Sequence, residues 1–182
     1  MKPLLKTPLE HMLQGLAYWL AYKSETVKYM ITEHEIVGEA ILILQSRLPL
    51  GYKIIREYPY RNLSTKYSVH QHADLAIINP NDECECLIEF KLADSTNGGL
   101  KSDVAKMNPI KKDCPNVDSY VVVVYRQSCS AKVPKGLVDN DGKANKKPIL
   151  IGPTSVKVRR VCNAIGSKKA NKMKKVVCVE LV

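Results

Sequence analysis

Apolar residues recur at two different periods along this chain, and the change of period divides it into elements. Leu9, Met12, Leu13, Leu16, Trp19, Leu20 and Tyr22 stand mostly three or four apart within residues 8–30, the spacing of one or two helices with a buried stripe. Thr32-Glu-His-Glu35 has the form of a capping box, with Ile36, Val37, Ala40, Ile41, Leu44 and Leu48 as the apolar stripe of the helix it opens. Pro49-Leu50-Gly51 ends that helix. From Tyr52 the period shortens. Residues 52–60, 72–78 and 83–92 are expected to be strands, the first two separated by a polar loop over 62–68 and the last two by the hairpin turn Asn79-Pro-Asn-Asp82. A loop over 94–99 leads to a short helix over 100–112, interrupted by Pro109. Residues 119–125, Ser-Tyr-Val-Val-Val-Val-Tyr, suit a buried central strand. A long exposed loop over 127–148, a short apolar segment at 149–151, a helix near 154–166 and a final strand near 176–181 complete the chain. No repeat or linker divides the 182 residues, so the expectation is a single α/β domain.

The second hairpin carries the chemistry. Alternation along a strand puts Glu89 and Lys91 on one face, with Leu87 and Glu85, and Cys84, Cys86, Ile88, Phe90 and Leu92 on the other. Antiparallel pairing across the turn brings Asp74 to the end of the hairpin that carries Glu89 and Lys91. Two carboxylates beside one ammonium make a candidate divalent-metal site with a cation attached; the alternative is a half-buried strand with a solvated charged face. Mg²⁺ suits such a donor set, because it keeps several waters and takes one or two carboxylates plus substrate phosphate. That chemistry is phosphodiester hydrolysis, with the lysine orienting water or offsetting charge on the phosphoryl oxygens.

Charge is unevenly placed. Residues 1–130 carry 15 Lys/Arg against 15 Asp/Glu, and residues 131–182 carry 13 against 3, so the formal net charge of +10 comes from the last third. Lys157, Arg159, Arg160, Lys168, Lys169, Lys172, Lys174 and Lys175 are its densest part, the footprint expected for a nucleic-acid partner or for a solubilising surface. No apolar run has the length of a membrane span, and no Lys/Arg cluster flanks an apolar anchor, so no membrane partner is expected. The six cysteines form no C-x-x-C pair and four lie in apolar stretches, which suits reduced thiols and a cytoplasmic location.

The order helix, three strands, helix, strand over residues 32–126, with Asp74 on the second strand and Glu89-Phe-Lys91 on the third, resembles the PD-(D/E)XK nuclease superfamily. The resemblance implies a restriction endonuclease-like core, a mixed β-sheet flanked by helices, preceded here by a helical extension over 1–31 and followed by a basic part over 127–182. It implies a Mg²⁺-dependent DNA endonuclease, with Mn²⁺ able to substitute, in which Asp74 and Glu89 hold the metal with the Phe90 carbonyl and Lys91 is the catalytic lysine. Many members place a further glutamate on the preceding helix; Glu35 and Glu39 are candidates, and Glu39 is favoured because Glu35 has a capping role. Ala73 stands where the motif's proline would be. Asp103 and Lys106, one turn apart on the following helix, either face the site or form a surface ion pair, and His72 shares the Asp74 face. Lys157, Arg159, Arg160, Lys168, Lys169 and Lys172 would grip DNA. Restriction or another defence against foreign DNA is the favoured setting, ahead of junction resolution or repair, and a homodimer would pair two sites with two strands. The alternatives are a nucleic-acid-binding module of the same fold without catalysis and a structural or partner-binding protein. Asp139-Asn-Asp141-Gly142 lacks the glutamate of a calcium loop and is expected to be a turn. Trp19 is expected in the core.

Overall fold

The valine-rich run forms a strand with three others on either side of it. In the computed structural model, which describes residues 3–26, 31–93, 99–126, 136–139, 143–164 and 174–182, it lies at the centre of a seven-stranded mixed sheet. The strands are β1 (Lys53–Pro59), β2 (His72–Ile78), β3 (Cys84–Leu92), β4 (Asp118–Arg126), β5 (Ile149–Ile151), β6 (Thr154–Ala164) and β7 (Lys174–Leu181), in the order β1-β2-β3-β4-β7-β6-β5. Three helices flank the sheet: α1 (Pro3–Thr26), α2 (Glu33–Gln45) and α3 (Gly99–Asp113). β1, β2 and β3 form an antiparallel meander, β4 runs parallel to β3 through the α3 crossover, and the remaining pairs are antiparallel. A parallel neighbour requires a crossover of this kind, because a tight turn can only reverse the chain.

Alternation on the strands builds two cores. Ile88, Phe90, Tyr120, Val122, Val124 and Val176 pack under α1 and α2, whereas Leu87, Val121, Val123, Val177 and Val179 pack under α3. Burial on both faces is why β4 is apolar from Tyr120 to Tyr125. Leu16 of α1 is fully buried against the first of these cores. Truncation to alanine should cost about 2–5 kcal/mol, read as a lower urea midpoint.

The expected elements form, with three differences. α3 continues through Pro109 because Val104, Met107 and Ile110 anchor both sides of the missing N–H in the core. The helix expected near 154–166 is instead strand β6. Val156 and Val158 alternate into the core, and a register shift between Val158 and Arg160 breaks the period of two that would have shown a strand. The chain beyond residue 126 is also no appendage, since β7 pairs with β4 and β6 with β7. Of the expected 127–148 loop, only 136–139 and 143–148 are described. There Asp139 accepts the Lys143 N–H at 2.8 Å and Leu137 is buried, while residues 140–142 of the expected turn lie outside the described residues. Trp19 packs at the edge of the core under α1. All the described cysteines (84, 86, 114, 162 and 178) are free thiols. Among the described residues, no helix is long and apolar enough to cross a membrane.

Candidate active site

The hairpin turn forms as its residues dictate. The Asn79 side chain accepts the N–H groups of Asn81 and Glu83, and Asp82 takes the left-handed backbone at φ 61°. The turn fixes the register of β2 on β3. One local difference from strict alternation follows: a bulge opposite Ile77 and Ile78 turns Glu85 toward Tyr52 and Asn79, so it does not share the Glu89 face.

At the other end the ladder opens. Backbone pairing of β2 with β3 ends at Leu75 and Ile88, and the next N–H, that of Phe90, is taken by Asp74 Oδ2 at 2.6 Å. A carboxylate thus stands where a strand carbonyl would, leaving Oδ1 available. The N–H and C=O of one extended residue project to the same side, so the Phe90 carbonyl also faces this gap. Burial raises the Asp74 pKa, the Phe90 N–H opposes that shift, and Glu33 adds to it.

Glu89 lies deepest, with 3% of its surface exposed. Its Oε1 accepts the Tyr60 hydroxyl at 2.5 Å and meets the Lys106 ammonium at 2.5 Å, leaving Oε2. Burial and then the charge of Asp74 push its pKa up to about 7, against the pull of Lys106 and Tyr60. The Tyr60 phenol is itself pushed far above its ordinary value by burial and by Glu89, so it stays protonated and acts as a donor. Tyr60→Phe removes that donor. It should move the rising limb of a pH–activity profile upward by about one to two pH units, because a hydrogen bond to a charged group contributes about 1.5–3 kcal/mol.

Lys91 emerges on the same face and is shared between Glu33 at 3.3 Å and Asp103 at 3.8 Å. Burial alone would lower its pKa, but Glu33, Asp103 and Asp74 outweigh that and raise it, so the ammonium stays charged. Asp103 is raised by burial and held back by Lys91 and Lys106. Four carboxylates (Glu33, Asp74, Glu89 and Asp103) therefore surround two ammonium groups. Lys106 pairs with Glu89 and Lys91 is shared by Glu33 and Asp103, so Asp74 is the carboxylate of the four with no ammonium paired to it.

Glu33 is the helix glutamate of this site. The capping box forms, with Glu35 accepting the Thr32 N–H at 2.9 Å, and it sets the next residue, Glu33, at the start of α2 over the end of β3. There Glu33 Oε2 also accepts the Leu92 N–H at 2.9 Å. The expectation of Glu39 is corrected accordingly: six residues on, it lies about 9 Å further along the axis and on another face. Asp103 and Lys106 face the site rather than forming a pair of their own. His72 contributes its backbone carbonyl, which accepts from Lys106 at 3.1 Å. Tyr60 and Glu33 have no counterpart in the spacing of the motif. An aromatic residue ending β1 and an acid at the first position of a capped helix are common features in their own right.

The donor set fits a hard divalent cation. Asp74 Oδ1, Glu89 Oε2 and the Phe90 carbonyl are oxygen donors, the set Mg²⁺ takes when water and phosphate complete its shell. Among the described residues, no three His, Cys, Asp or Glu side chains group so as to enclose an ion by themselves.

The basic residues of β6 serve other contacts. Arg159 pairs with the buried Glu180, and Arg160 pairs with Glu10 of α1 at 3.3 Å. Lys157 lies between Val156 and Val158, which pack on the α3 side, so all three turn toward the α1 side, away from the Glu89 face. A nucleic acid held by either arginine would first have to break an internal ion pair. Lys168, Lys169 and Lys172 lie outside the described residues. Comparison with protein-family models, with curated proteins and with solved structures finds no match.

Proposed function

We propose that this protein is a Mg²⁺-dependent nuclease with a restriction endonuclease-like core, hydrolysing phosphodiester bonds of DNA. The observation that carries the reading is the opened end of the β2–β3 hairpin. There Asp74 and Glu89 present free carboxylate oxygens on one face, and Lys91 stands two residues beyond the second acid. The element order from α2 to β4 and the parallel β3–β4 pair agree with it.

Each residue then has a distinct task. Asp74, Glu89 and the Phe90 carbonyl would hold the ion, which when bound polarises the phosphate and lowers the pKa of a coordinated water. Lys91, kept charged by its acidic neighbours, orients the attacking water and offsets charge building on the phosphoryl oxygens. Tyr60 fixes the Glu89 carboxylate, and Glu33 fixes Lys91 and the end of β3. Defence against foreign DNA remains the favoured setting. Dimerisation would bring two such sites to a duplex.

Incubating supercoiled plasmid with the protein and Mg²⁺ or Mn²⁺ tests the proposal. Nicked or linear product that disappears with chelator is the expected result; plasmid left intact across metals and across single-stranded and branched substrates overturns it. One observation favours a second reading, a binding module of the same fold: both ammonium groups are engaged with internal carboxylates. Salt-sensitive DNA retention without cleavage would select it.

A further inference from the structure

Lys106 is placed differently from Lys91. Lys91 pairs with Glu33 and Asp103, neither of which is a metal-holding residue in the reading above. Lys106 pairs with Glu89, which is. Its ammonium sits 2.5 Å from Glu89 Oε1 and 3.1 Å from the His72 carbonyl, with the Tyr60 ring centre 5.7 Å away.

We infer that Lys106 is an internal stand-in for the metal: it neutralises Glu89 in the metal-free protein, gives way when a divalent ion binds, and then serves as a second cation for the scissile phosphate. This role rests on the nuclease reading.

Three observations support it. First, the Glu89 side chain is only 4% exposed, and an ionised carboxylate that deep is costly without a positive partner, so an adjacent cation favours the ionised form when metal is absent. Second, the Lys106 side chain is 30% exposed against 4% for Glu89, so it reaches solvent, where a phosphate could meet it. Third, lysine is a compact charge on a four-carbon stem of rotatable bonds, so it can leave Glu89 without moving α3, whose Val104, Met107 and Ile110 stay anchored. A bound dication would repel the ammonium, and phosphate oxygens would offer it a new anionic partner. The competition separates the two lysines. Removing Lys91 takes away a helper of the chemistry, whereas removing Lys106 also takes away a competitor for the ion.

The experiment is a calorimetric titration of Mn²⁺ into DNA-free wild-type protein, Lys106→Met and Lys106→Arg, alongside plasmid cleavage at saturating Mn²⁺. Lys106→Met is expected to bind Mn²⁺ about tenfold more tightly than wild type yet cleave at least tenfold more slowly. Lys106→Arg keeps a positive charge beside Glu89 and should bind Mn²⁺ no more tightly than wild type. Lys106→Gln, which keeps a hydrogen-bond donor for Glu89 without the charge, guards against misfolding of the methionine variant and should also bind more tightly. Equal or weaker Mn²⁺ binding by both neutral variants, with wild type binding and cutting, overturns the stand-in role alone. Absence of binding and cleavage in every form overturns the nuclease reading and this role with it.

Discussion

Lys91→Met is expected to slow metal-dependent cleavage by about 10²–10³-fold, the loss typical when one preorganised electrostatic stabiliser is removed from a reacting centre. Stability should hardly change. Lys91 is a partly exposed member of an ion-pair group, and such pairs contribute about 0–1 kcal/mol. Affinity for Mn²⁺ without DNA should stay the same or rise slightly, since Lys91 touches Glu33 and Asp103 rather than Asp74 or Glu89. These three readouts together identify chemistry. A defect caused by unfolding would move the urea midpoint, and a defect in metal loading would be rescued by more metal. Single-turnover cleavage at saturating Mn²⁺, denaturation curves and a DNA-free Mn²⁺ titration on the same samples measure the three. A rate within about threefold of wild type would remove Lys91 from the reaction. The pair Glu33→Gln and Asp103→Asn offers a control in the same neighbourhood, because each weakens the hold on Lys91 while leaving its ammonium in place.

The part of the site legible in sequence is the part fixed by one turn. Asn79 to Asp82 fixes the turn, so counting outward brings Asp74 opposite Leu87, at the end of β3 that carries Glu89, and the register shift between Ile77 and Ile78 carries it on toward Glu89. Lys91 follows from alternation alone. Tyr60 and Glu33 reach the site from other elements: Tyr60 is 29 residues from Glu89, and Glu33 is 59 residues from the Leu92 N–H that it accepts. Their roles depend on how β1 ends and on where α2 docks, which local patterns leave open. Asp103 and Lys106 are an intermediate case. Helical spacing puts them on one face of α3, but an ion pair between them and a joint approach to the β3 acids look alike in sequence. The basic residues of β6 are a different case. Their number gave a correct net charge, yet a strand with a bulge directs Arg159 and Arg160 to Glu180 and Glu10, and charge counting cannot reveal such partners.

Glu89→Gln should abolish cleavage and at the same time make the metal-free protein more stable at pH 8. Burial and Asp74 raise the folded-state pKa of Glu89 from 4.5 to about 7. Between those values the folded protein holds a proton that the unfolded chain has released, so stability is highest below the unfolded pKa and falls as pH rises, levelling off above about 7. At about 1.4 kcal/mol per pH unit, the penalty at alkaline pH is on the order of 3 kcal/mol. A glutamine of the same shape carries no such penalty, and its carbonyl oxygen can still accept from Tyr60 and Lys106, where Oε1 now does. The pull of Lys106 is already contained in the value of about 7, so a net gain of up to about 3 kcal/mol is expected. Urea midpoints from pH 5 to 8.5 in chelator should decline less steeply for the variant than for wild type, since only the Glu89 contribution is removed while those of Asp74 and Asp103 remain, with the curves converging at the acidic end. Added Mn²⁺ should raise the wild-type midpoint by mass action and leave the variant unmoved. A variant less stable than wild type at pH 8 would mean that the carboxylate rests comfortably where it is. The site would then lack the unrelieved negative charge that gives a divalent ion its reason to bind.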